Sequence, residues 1–174
     1  PQRDERMGWM GDAQVFAPTA AFNMDVAGFF TKWLRDVAAD QLENGSVPHV
    51  IPDVLSAPNR PQAGSAAWAD AAVIIPWTMY LTYGDTRVLE TQYPSMVAWV
   101  EYVRKRAGDD FIWSEDFTFG DWLAFASTAS DYPGATTGKD LIATAFYAHS
   151  TDLLQRAAAV LGKKEEAAEY AALL

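Results

Sequence analysis

The 174 residues are half apolar, enough to build one sizeable core, and carry a net charge of −10. That charge, with no long basic run to offset it, argues against a nucleic-acid partner or an anionic membrane surface, and no apolar run is long enough to span a bilayer. The absence of cysteine removes disulfides, zinc–thiolate centres and thiol nucleophiles, but leaves the compartment open.

The chain opens with PQRDERMGWMGD, where two arginines, several acids and a tryptophan crowd around Gly8 and Gly11. A start at Pro1, inside a dense polar cluster and without a leader, reads as a piece of a longer protein. From Asp12 the apolar spacing is helical through Val15, Phe16, Ala20 and Phe22, and again through Val26, Phe29, Phe30, Trp33, Leu34 and Val37. This predicts two helices divided near Asn23 and Asp25, with Asp12 and Asp25 as caps and a stop at Asn44-Gly45. Pro48, Pro52, Pro58 and Pro61 make the stretch from Gly45 to Gly64 a long irregular loop.

Helix resumes with Ser65 as the expected cap, apolar almost all round, and passes Pro76 to Gly84. Asp85 opens an amphipathic helix that Pro94 is expected to divide or bend. The stretch from Asp109 to Gly138 is predicted to be mostly loop, with at most a short hairpin and one helical turn. Lys139 to Leu161 forms another long helix ended by Gly162, and KKEEAAEYAALL begins the last. The order is thus three helix pairs separated by two long loops, each pair an apolar inner helix and an amphipathic outer one. No short repeat of similar sequence supports a solenoid, so the expected class is all-α, antiparallel helix pairs forming about half of an (α/α)6 toroid.

Two readings fit the opening cluster. In one, Asp12 caps a helix, the arginines pair with Asp4 and Glu5 at the surface, and Trp9 staples the helix start. In the other, a turn at the glycines brings Glu5 and Asp12 to one pocket with the Trp9 indole between them. That suits a sugar, because carboxylates accept from hydroxyls, an indole face stacks on the C–H face of a pyranose, and a carboxyl can act as general acid. Trp68 and Asp70 sit near a helix start, where Asp70 must cap, pair or face a cavity. Asp121 and Trp122 follow a glycine in the aromatic run FTFGDWLAF, where a tryptophan is either a lid or core. His49 and His149 lack metal-ligand spacing and read as structural. No metal or cofactor is expected, and no phosphate-binding, nucleophile-elbow or metalloprotease motif is present.

PQRDERMGWMGD resembles the signature of the bacterial α-L-rhamnosidases of glycoside hydrolase family 78. GSAAWADAAVIIPWTMYLTYGD, FGDWLA and DLIATAFYAHSTDLLQRAAAVLGK are similar to the segments that follow it there, so the likeness spans the whole chain. The resemblance implies an (α/α)6 catalytic domain that hydrolyses terminal α-L-rhamnosyl groups with inversion, on a rhamnose-containing glycoside or polysaccharide. It implies Glu5 as the general acid, Arg3 and Asp12 on the sugar hydroxyls, and Trp9, Trp68 and Trp122 against the sugar's apolar faces. Asp70 and Asp121 are carried over as further substrate-binding positions.

The family's aspartate just before the signature and its general base, a glutamate in the later half of the barrel, have no counterpart between Pro1 and Leu174. Residues 1–174 are therefore expected to be a partial catalytic domain truncated at both ends. Such a piece would be inactive alone and prone to self-association through its uncovered helices. The alternatives are another (α/α)6 glycosidase or a non-catalytic carbohydrate-binding helical module.

Overall fold

The computed structural model describes residues 3–124 and 136–174. Among the described residues six α-helices follow in chain order: α1 (Met10–Asn23), α2 (Ala27–Asp40), α3 (Ala71–Tyr83), α4 (Thr86–Ala107), α5 (Lys139–Val160) and α6 (Lys164–Leu173). The described residues contain no strand, only isolated extended bridges, and no helix among them is long and apolar enough to cross a membrane. Helix α3 is central, packing on α1, α2, α4 and α5, while α4 also packs on α2 and α5, and α6 on α5. The contacts α1 to α3 and α3 to α5 make an inner row, and α2 to α4 lies outside it. Three antiparallel hairpins in two layers are the half-toroid that the alternation of apolar and amphipathic helices predicts.

Sequence explains several of the helix ends. Asp85 caps α4 by accepting from the Arg87 backbone N–H at 3.0 Å, and basic Arg104, Lys105 and Arg106 occupy its last turn, where the helix dipole favours them. Gly84 and Gly162 take the left-handed conformation just past α3 and α5. Pro94 does not divide α4, which runs 22 residues through it.

Three starts differ from the sequence reading. Met10 begins α1 because Trp9 C=O already accepts from Ala13 N–H, so Asp12 falls inside the first turn instead of capping it. Asp25 accepts from Ala27 N–H at 3.2 Å, but the cap position itself is Val26. Ser65 does not cap α3: Ala67 adopts φ 66°, which breaks the helical path, and regular helix begins only at Ala71. The loop after α4 opens with a 3-10 turn, Gly108–Asp110. Residues 125–135, where part of the expected hairpin and helical turn would fall, lie outside the described residues, as do Pro1 and Gln2.

The core runs through Met10, Phe30, Leu34, Ile75, Leu89, Met96, Trp99 and Leu154, with Trp113 folded in from the loop after α4. Apolar side chains left exposed concentrate on the first pair: Val15, Phe16 and Phe22 of α1, Met24 between the helices, and Phe29 of α2. Phe16, Met24 and Phe29 of these border a cleft of about 770 Å3 between α1 and α2.

Candidate active site

The wall of the site is built by backbone contact. Gly8 C=O accepts from Ile51 N–H at 2.9 Å and Met10 N–H donates to His49 C=O at 3.0 Å, so residues 8–10 run antiparallel to residues 49–51. On its other side, His49 N–H donates to Gln62 C=O and Gly64 N–H to Val47 C=O. Extended chain thus lies three deep beneath the start of α1. The two glycines of the opening stretch are required by this approach. A Cβ on Gly8 would fall 2.1 Å from Ile51 O, and one on Gly11 would fall 2.8 Å from the Trp68 indole.

That seat aims the polar groups. The Trp9 indole Nε1–H donates to Glu5 Oε1 at 3.0 Å, holding the carboxylate on the exposed side of the turn. Arg3, also exposed, offers its C=O to Arg6 Nε–H at 2.9 Å, and Arg6 itself has φ 56°, which tightens the turn. Asp12 projects from the first turn of α1 into a cleft of about 400 Å3 whose wall includes Gly11, Trp68, Trp122 and Phe146. Asp12 and Trp9 also border the larger, more apolar cleft between α1 and α2. The smaller cleft joins the Asp12 carboxylate to the Trp68 and Trp122 indoles, a mixture that suits a pyranose.

The structure therefore brings together Glu5, Trp9, Asp12, Trp68 and Trp122. The three indoles come from distant parts of the chain and meet at Phe119, a residue the sequence reading did not single out. The alternation of aromatics in FTFGDW was the available signal, since every second side chain of an extended stretch shares a face.

Asp70 and Asp121 stand elsewhere. Asp70 has no exposed surface, and three donors converge on it: Trp99 Nε1–H at 2.9 Å and Ser150 Oγ–H at 2.5 Å on Oδ1, and Ala67 N–H at 2.7 Å on Oδ2. Burial pushes its carboxyl up, and the hydrogen bonds from Ser150, Trp99 and Ala67 pull it partly back. A carboxylate so enclosed cannot touch a sugar in this arrangement, which corrects the expectation that it binds substrate. It organises the interior. Asp121 accepts from the backbone N–H and hydroxyl groups of Thr136 and Thr137, at 2.8 to 3.3 Å. Removal from water pushes its carboxyl up, but these donors outweigh that and hold it at about 2. Asp121 thus clasps the approach to α5 to the loop that carries Trp122.

His49 lies under the aromatic group, its ring 5.1 Å from Phe119 and 5.9 Å from Phe117, with Nδ1 buried and unpartnered. Burial holds its pKa down at about 4, although the Asp53 carboxylate raises it somewhat. The unfolded chain, at the ordinary 6.5, binds the proton more readily, so the stabilising contribution is complete above pH 6.5 and is lost as pH falls toward 4. The loss is about 2 kcal/mol once water near the loop is allowed for. Thermal unfolding of His49→Gln is expected to show a flatter dependence between pH 6.5 and 4 than wild type. Parallel curves would refute this role. Among the described residues no group of three or more His, Asp or Glu side chains is arranged to hold a metal ion.

The sequence matches the bacterial alpha-L-rhamnosidase 6 hairpin glycosidase domain over residues 1–174. An alpha-L-rhamnosidase of Formosa agariphila is 46% identical over 173 residues, which cover 99% of this chain and 18% of the relative. The crystal structure of the Streptomyces avermitilis alpha-L-rhamnosidase complexed with L-rhamnose superposes with a TM-score of 0.82 at 44% identity, over 99% of this chain and 15% of that one. Native rhamnosidase from Aspergillus terreus superposes with a TM-score of 0.88 at 39% identity, over 99% and 20%. The chain thus spans less than a fifth of the length of the curated relatives. Three helical hairpins, an indole-bonded carboxylate and a tryptophan-lined cleft accord with that whole-chain match, and the chain belongs to the family of the bacterial α-L-rhamnosidase six-hairpin glycosidase domain.

Proposed function

We propose that this chain supplies the general-acid half of the sugar site of an α-L-rhamnosidase, a glycoside hydrolase acting with inversion on terminal α-L-rhamnosyl groups. The observation that carries the reading is the meeting of Trp9, Trp68 and Trp122 around one ring, with Glu5 bonded to the first indole and Asp12 beside the other two. In this site Glu5 protonates the glycosidic oxygen as its bond to the anomeric carbon breaks. Asp12 and Arg3 hold hydroxyls, and the indoles cover the apolar face and the C6 methyl group of rhamnose. Inversion requires a second carboxylate, roughly 6.5 to 9.5 Å from the acid, to activate water on the opposite face. The remaining hairpins of the domain are its proposed source, which makes residues 1–174 a partial catalytic domain.

Assay of the full-length protein against nitrophenyl glycosides tests this. Release from the α-L-rhamnoside, with the β anomer of rhamnose as first product by NMR, is the expected result. Preference for a glucoside, or rhamnose binding without turnover, would replace the reading by another toroidal glycosidase or a binding module. The isolated 174-residue chain is expected to release no nitrophenol and to sediment as oligomers, because Phe16, Phe22, Met24 and Phe29 remain uncovered. Turnover by the isolated chain that depends on Glu5 would overturn the half-site assignment.

A further inference from the structure

We propose that Phe119 is a positioning residue for the acid: its ring seats Trp9, whose indole N–H holds Glu5, while the same ring fixes Trp68 and Trp122. The proposal rests on the rhamnosidase reading above.

The geometry is that of a hub. Trp9 meets the Phe119 ring edge-on at 5.8 Å and 87°, Trp122 at 5.8 Å and 80°, and Trp68 lies against it at 4.5 Å and 40°. His49 and Phe117 support it at 5.1 and 4.9 Å. These separations lie within the range in which aromatic quadrupoles favour edge-to-face or tilted contact. The ring is held in place by its own backbone: Phe119 N–H donates to Ser65 Oγ at 3.3 Å, Gly120 N–H donates to Thr118 Oγ1 at 3.2 Å, and both hydroxyl residues are buried. Ser65 belongs to the segment that carries Trp68, so loop and indole are registered to each other twice, through backbone and through ring.

The chemical consequence concerns proton delivery. In the proposed step Glu5 gives its proton to the glycosidic oxygen as the C1–O bond breaks. Water, deprotonated by a second carboxylate of the domain, bonds to C1 from the opposite face. Glu5 stands in an exposed turn, and the Trp9 indole N–H directs one of its oxygens. When the Trp9 ring loses its neighbour, the carboxyl loses its direction, and misplacement on the order of 1 Å costs roughly a hundredfold in rate. The loss must grow with the need for a proton. A leaving group that departs as a stable anion does not use it.

The test uses the full-length enzyme and two substrates, a dinitrophenyl α-L-rhamnoside and a methyl or other alkyl α-L-rhamnoside. Phe119→Leu is expected to lower kcat on the alkyl rhamnoside by roughly 10- to 100-fold and on the dinitrophenyl rhamnoside by no more than about threefold. Trp9→Phe, which keeps a ring against the sugar and removes the N–H, is expected to lose at least about tenfold more kcat on the alkyl than on the dinitrophenyl rhamnoside, over any loss common to both substrates, and the double variant to lose no more than about threefold beyond Trp9→Phe alone on the alkyl rhamnoside. Should Phe119→Leu not fold, Phe119→Met is the second variant, with the same selectivity expected. Equal slowing on both substrates, or additive losses in the double variant, would overturn the positioning role. Absence of turnover of either rhamnoside by wild type would instead overturn the function on which it rests.

Discussion

Full-length enzyme carrying Glu5→Gln is expected to lose roughly 10²- to 10⁴-fold in kcat on rhamnosides whose leaving group needs a proton, with KM within about threefold of wild type. The structure explains why this substitution isolates the chemistry. Glutamine keeps an oxygen able to accept from Trp9 Nε1–H, so the turn and its 3.0 Å bond survive, while the transferable proton is gone. Glu5 is exposed, and exposed substitutions of this kind change stability by less than about 0.5 kcal/mol. Steady-state kinetics together with an unchanged melting temperature would show that the loss is catalytic. Wild-type turnover of an alkyl rhamnoside by Glu5→Gln would remove Glu5 from the acid role and leave it a sugar-binding carboxylate.

The second large effect belongs to Asp70 and is one of stability. Asp70→Ala leaves Trp99 Nε1–H, Ser150 Oγ–H and Ala67 N–H without the acceptor that now serves all three in the interior. Stranding buried donors of this kind is expected to cost the domain about 3 to 5 kcal/mol, read as a fall of more than about 6 °C in its melting transition. Asp70→Asn separates the contributions. With its oxygen at the Oδ1 position the amide still accepts from Trp99 and Ser150, but its NH2 then faces Ala67 N–H. A loss of about 1 to 3 kcal/mol is expected, localised at the turn where Ala67 holds φ 66° and Trp68 follows. Calorimetry of both variants checks the order. An Asp70→Ala enzyme as stable as wild type, with weakened rhamnose binding instead, would return Asp70 to the sugar.

The contrast between these two acids shows what the sequence carries. Helix pairs were legible because apolar spacing and glycine stops are local: Asp85, Gly84 and Gly162 mark the ends they were read to mark. The opening motif was legible because it is long and its residues meet within one turn. Asp70 was misread because a helix-start acid beside a tryptophan looks the same whether it faces a cleft or Trp99, 29 residues away along the chain. The start of α3 was misplaced for a related reason, since the left-handed Ala67 depends on the Asp70 carboxylate, and alanine gives no local sign of it. Phe119 escaped notice because one phenylalanine among several acquires meaning only when three distant indoles converge on it.

The seat of Trp9 has one more consequence. Gly8 and Gly11 touch Ile51 and Trp68 through the side of the backbone where any other residue would carry its first carbon. The twelve residues PQRDERMGWMGD thus hold two kinds of information in alternation. On the proposed function some letters serve a reaction, whereas two specify an empty space that a first side-chain carbon would invade. In a lineage that abandoned the proposed hydrolysis while keeping the scaffold, Glu5 is expected to drift first. The glycines, held by packing alone, are expected to outlast it.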